Sequence, residues 1–147
     1  MPNAVRDENR IPAVRAALRA AEGSIAESIA TDVNETVREN WSAGKNALGG
    51  AWAPNAPETI RQKGGSTPLI DTGETREAMG VSAEGDTARV GPTTDEAAKL
   101  IAIHEHGVPE QNIPARPVIG PAGEYAHQVA EDVAERTLTK TLAGVTL

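Results

Sequence analysis

One apolar stripe constrains this chain more than any other feature. Val14, Leu18, Ala21, Ile25, Ile29, Val33, Val37 and Trp41 recur at spacings of three and four, which places them on one side of an α-helix. The pattern predicts a single long helix over 11–41, with Pro12 in its first turn, where a missing N–H costs nothing. Gly23-Ser24 interrupts the pattern, and a bend is expected there. Arg15, Arg19, Glu22, Asp32, Glu35 and Glu39 occupy the other faces. The stripe suits a core face lying on a sheet, or a surface for a partner helix.

The segment 42–68 obeys neither the helical nor the strand period. It holds Gly44, Gly49, Gly50, Pro54, Pro57, Gly64, Gly65 and Pro68 and reads as an extended loop, with one helical turn near 58–63. Structureless loops of this length are unusual in compact domains and carry function or disorder. Its glycines make ordering costly, so partner contacts are expected to order it. Trp52 either anchors the loop to the body or contacts another subunit.

Beyond it, Leu69-Ile70-Asp71-Thr72-Gly73 opens a short helix to about Ala78, capped by Asp71 or Thr72. Segments 79–83 and 87–91 flank Glu84-Gly85-Asp86 and predict a β-hairpin. Thr94 followed by Asp95 and Glu96 starts a helix over 95–106, with Leu100, Ile103 and Ala97 expected inward and Gly107 closing it. A proline-rich stretch follows over 108–117, then a further strand at Val118-Ile119. A last helix spans 121–142, its stripe made by Tyr125, Val129, Val133, Ala134, Leu138 and Leu142. The expected fold is α+β: one domain over 1–147, a small antiparallel sheet flanked by the two long helices, with the sheet and short helices within 69–120.

Composition then excludes whole classes. There is no cysteine, which removes disulfides and thiolate metal sites. No run of apolar residues is long enough for a membrane span. The acidic first eight residues are not expected to act as a secretory signal. The net charge of −7 argues against broad electrostatic binding of nucleic acid. With no Phe and only Trp41, Trp52 and Tyr125 as aromatics, the core is thin, and burial is completed against partner copies.

Catalytic patterns fail on spacing. His104-Glu105-His106 has metal-ligand residue types, but two His two apart on a helix lie roughly 200° from each other. Zinc-protease helices need them four apart. A metal-dependent hydrolase using His104 and His106 is therefore the alternative reading, and a soluble adaptor a third. Asp71-Thr72-Gly73 matches half an aspartic-protease signature, but a capping turn accounts for it. The paired glycines lack the Lys-Ser/Thr of a phosphate loop. No catalytic residue, metal or cofactor is assigned.

The motifs in order carry a resemblance. Trp52-Ala53-Pro54, Thr59 and Lys63 come first, followed by Pro68-Leu69-Ile70-Asp71-Thr72-Gly73 and Val90-Gly91. Ile101-Ala102-Ile103-His104-Glu105-His106-Gly107 and Ile113-Pro114-Ala115-Arg116-Pro117-Val118-Ile119-Gly120 complete the series. The series resembles the phage virion morphogenesis family, the tail-completion or head–tail joining proteins of tailed viruses. Leu100 stands where the family often has Tyr, Val118 where it has Phe, and Thr75 where Leu often follows the turn. The resemblance implies a non-enzymatic virion protein, made in the host cytoplasm and assembled as a ring, six-fold by expectation, at the head–tail junction. Its implied partners are its own copies and the neighbouring connector and tail-tube proteins. DNA would pass through an acidic lumen without specific binding, since phosphates and carboxylates repel. Trp52, Pro54, Asp71 and Arg116 are the candidates for subunit contact. Arg116, held extended by the prolines around it, is expected to pair with a carboxylate such as Asp71 or Glu105.

Overall fold

The computed structural model describes residues 9–145. The segment 1–8, where no secretory signal is expected, lies outside them. The apolar stripe forms one continuous helix, α1, Ile11–Ser42. A two-residue turn joins β1, Met79–Glu84, to β2, Thr87–Pro92, in an antiparallel hairpin running from Met79↔Pro92 to Glu84↔Thr87. Gly85 sits at φ 60°, as the first central residue of a type II′ turn requires. The fold is α+β, as expected, and among the described residues the sheet has two strands.

Gly23 does not break α1. A Cβ there would stand 2.7 Å from the carbonyl oxygen of Gly85, so the glycine lets the hairpin turn press on the helix. The last helix, α5, Ile119–Ala143, packs on α1 in the opposite direction. Tyr125, near its start, meets Thr36 and Asp32, whereas Arg136 and Lys140 share a groove with Ser24 and Glu27. The other elements among the described residues are α2 (Pro57–Lys63), α3 (Glu74–Glu77), α4 (Asp95–His106) and a 3-10 turn at Pro109–Gln111. Thr94 caps α4 by accepting from the Ala97 amide at 3.2 Å, so that helix starts where its sequence says.

Two expectations are corrected. Val118-Ile119 is not a strand. The Glu105 carboxylate accepts the Val118, Ile119 and Gly120 amides at 2.7, 2.9 and 2.8 Å, satisfying donors that a helix start leaves open and placing a negative charge at its positive end. A distant acid thus starts α5 two residues before Pro121. Leu100 and Ile103 do not point inward either; they are 45% and 41% exposed, while Ala97 and Ile101 are buried. The inward line of α4 is 97–101, one helical turn apart, and the two larger residues flank it. Glu105→Gln should lower stability by about 1–2 kcal/mol, because a neutral amide offers one acceptor oxygen in place of two charged ones. Urea denaturation of the variant checks this, and an unchanged midpoint would mean that the α5 start holds without the charge.

The core gathers where α1 ends. Val33, Val37, Trp41, Ala47, Trp52, Met79, Ile101, Val118 and Ala122 form one buried cluster. Trp41 and Trp52 meet edge to face, centroids 5.4 Å apart at 86°. Two of the three aromatic side chains thus supply the centre of a body otherwise made of aliphatic residues and alanine.

Candidate functional site

The segment 42–68 folds back on itself through side chain to backbone bonds. Asn46 Oδ1 accepts from the Leu48 and Gly50 amides at 2.9 and 3.1 Å, an Asx-type turn. Asn40 Nδ2 donates to the Asn46 carbonyl at 3.0 Å. Further on, Asn55 Nδ2 donates to the Ser66 and Thr67 carbonyls at 3.4 and 3.3 Å, tying the two ends of α2 together. All of these bonds lie within the subunit.

The proline-rich segment locks it from the other side. Trp52 Nε1 donates to the Pro117 carbonyl at 2.9 Å. Arg116 is 6% exposed. It gives Nε to the Ala53 carbonyl at 2.8 Å and Nη2 to the Pro54 carbonyl at 2.9 Å. Its own amide donates to the His104 carbonyl at 2.6 Å. The expected carboxylate partner is therefore replaced by two backbone oxygens, and Glu105 caps α5 instead. A guanidinium fork matches two carbonyls of consecutive residues as well as it matches a carboxylate. Burial lowers its pKa from the ordinary arginine value, yet an arginine keeps its charge at any pH a protein meets. Gly107, at φ 70°, lets this segment approach: a Cβ there would sit 2.7 Å from both the Ala115 nitrogen and the Ile113 oxygen.

A third contact fixes the Leu69 turn. Trp41 Nε1 donates to the Leu69 carbonyl at 3.2 Å, and Lys63 Nζ to the Ile70 carbonyl at 3.0 Å. Between them Leu69 is held at φ 58°, a left-handed conformation that branched residues avoid and that persists only where surroundings enforce it.

These locks build two adjoining clefts on one face. The first, of about 410 Å³, is walled by Trp41, Leu69, Leu100 and Ile101, with Asp71 and Glu74 at its rim. The second, of about 620 Å³, lies over Pro54, Thr59, Ile113 and Arg116. Lys63, Leu69 and His104 line both. His104, like Arg116, titrates below its ordinary value. Burial is the main cause, with the Arg116 and Lys63 cations adding to it, and its Nδ1 is buried without a partner. Its pKa is lower folded than unfolded, so the unfolded chain binds more protons in acid, and stability should fall as pH drops below about 6.5. Thermal melts from pH 8 to pH 5 check this. His104→Gln should flatten that slope; an equal slope in the variant would assign it to other groups.

Of the four contact candidates, the structure divides two from two. Trp52 and Arg116 are buried within the subunit's own body, whereas Pro54 and Asp71 are exposed, one at each cleft. His106 is exposed and does not line either cleft with His104. Among the described residues no group of three or more His, Asp or Glu is placed to hold a metal ion, and no helix is long and apolar enough to cross a membrane. Sequence reasoning missed Asn46 and Asn55; the Asn46 turn was signalled by the Gly49-Gly50 pair that closes it.

Four segments distant in sequence thus converge on one face: 52–54, 69–73, 101–107 and 113–120. The sequence profile of the phage virion morphogenesis family matches residues 8–139 of the 147. The chain belongs to the phage virion morphogenesis family. No curated protein and no solved structure matches it. In this phage virion morphogenesis protein the segments that carry the resemblance are those that interlock around Trp41, Trp52 and Arg116, and the two clefts are the surface they shape.

Proposed function

We propose that this protein is a structural subunit of a tailed virus that assembles into a ring at the head–tail junction and joins the tail tube to the connector. The observation that carries the reading is the double cleft. Hydrogen bonds from Trp41, Trp52, Lys63 and Arg116 to backbone carbonyls build it, and its walls are apolar with charge at the rim. Rigid, preformed surfaces of that kind suit docking of another chain. Six copies are expected to close the ring, with Pro54 and Asp71 at the contacts and Trp52 and Arg116 shaping the surface beneath them. The excess of acids suits a lumen through which DNA slides without binding.

The metal-hydrolase reading gains nothing from the site, because His104 and His106 diverge from the same helix. Disrupting the gene in the virus should yield filled heads and finished tails that fail to join, and antibodies to the protein should mark the neck in electron micrographs. Joined, infectious particles without the protein would overturn the proposal.

A further inference from the structure

The apolar stripe of α1 outruns the body that covers it. Its later members, Val33, Val37 and Trp41, are buried, whereas Ile11 and Leu18 are 61% and 41% exposed. Val14, between them, is half-buried. Arg15 and Arg19 flank this uncovered strip and are exposed, with no ion pair to any described residue. Singly scattered apolar residues are ordinary on a surface, but here apolar and basic residues lie together along one helix end.

The first cleft has the opposite character. Its walls are Leu69, Leu100 and Ile101, with Leu100 45% exposed, and its rim carries the exposed acids Asp71 and Glu74. Apolar-basic faces apolar-acidic, which is the complementarity that selects partners. The two surfaces cannot meet within one subunit. Trp41 lines the cleft, and Leu18 lies 23 residues earlier on the same helix, about 35 Å away at 1.5 Å per residue.

We propose that the start of α1, through Ile11, Leu18, Arg15 and Arg19, docks in the Leu69–Leu100 cleft of a second copy of this chain, with Asp71 and Glu74 receiving the arginines. Such a contact joins unlike surfaces, so it propagates head to tail and closes into a ring when the rotation allows. The inference rests on the ring reading above and gives it a direction: every subunit inserts a helix end into one neighbour and receives one from the other.

Charge exchange tests it on the full chain. One variant carries Arg15→Glu and Arg19→Glu, the second Asp71→Lys and Glu74→Lys. All four positions are exposed, so circular dichroism and melting temperature should match the wild type. By sedimentation velocity, each variant alone should associate about tenfold or more weakly than wild type, since like charges face each other. Mixed in equal amounts, the two should assemble again, because each then offers the surface its partner lacks. The variant bearing all four changes should also assemble, and wild-type assembly should weaken as salt rises. Wild-type rings with variants that assemble equally well, or a mixture and four-fold variant that both stay dissociated, would overturn the docking while leaving the ring intact. A wild type that forms no ring in solution or at the virion neck would overturn the ring and the docking with it.

Discussion

Trp41→Ala should cost about 4 kcal/mol and leave the subunit close to unfolding. Trp41 is 0% exposed, and truncating a buried Trp typically costs about 3–5 kcal/mol. The edge-to-face contact with Trp52 adds about 0.5–1.5 kcal/mol beyond area burial. A domain of this kind has only about 5–15 kcal/mol in all. Trp41→Phe separates the two roles of the indole. It keeps most of the ring but removes the donor to the Leu69 carbonyl, so it should cost about 1–2 kcal/mol. It should also release Leu69 from its left-handed conformation, exposing the 69–73 turn to hydrogen exchange. Guanidinium denaturation of both variants gives the energies. Slow exchange at 69–73 in Trp41→Phe would show that the turn is held by something other than the indole.

Arg116→Ala should cost about 2–4 kcal/mol. It removes a charged donor from two carbonyls, those of Ala53 and Pro54, and empties a site where the arginine is 6% exposed; hydrogen bonds to a charged group contribute about 1.5–3 kcal/mol. Arg116→Lys should recover part of this, since an ammonium is a single point donor and the two oxygens call for a fork. Unfolding followed by tryptophan fluorescence checks both variants, because Trp52 is anchored to Pro117 next door and touches Trp41. A Lys variant as stable as wild type would show that charge, not the fork, is what the carbonyls need.

The helices were legible because their signals are local. The stripe from Val14 to Trp41 is visible as spacing alone, and Thr94 with Asp95 and Glu96 marks its helix without reference to the rest of the chain. The hairpin was legible for the same reason, since Gly85 sits at its turn. Apart from the Asn46 turn, the errors are non-local. Val118 and Ile119 have strand-like side chains, and only Glu105, 13 residues from Val118, makes them a helix start. Leu100 and Ile103 look like core residues until the neighbouring elements are in place, when Ala97 and Ile101 turn out to face them. The loop over 42–68 looked loose because glycine and proline were counted, whereas its restraints are Asn46, Asn55 and a buried arginine more than sixty positions away. The residues of the clefts were legible only as motifs in order; no local rule brings Leu69 beside His104.

The bonds from Trp52 to Pro117 and from Arg116 to Ala53 span 65 and 63 positions. A ribosome adds roughly 5–20 residues per second, so the early half of each latch waits several seconds for its late half to be synthesised. Until then the clefts have no second wall, and two nascent chains on one messenger have nothing finished to offer each other. The surface that these latches shape is thereby completed only once nearly all of the chain exists.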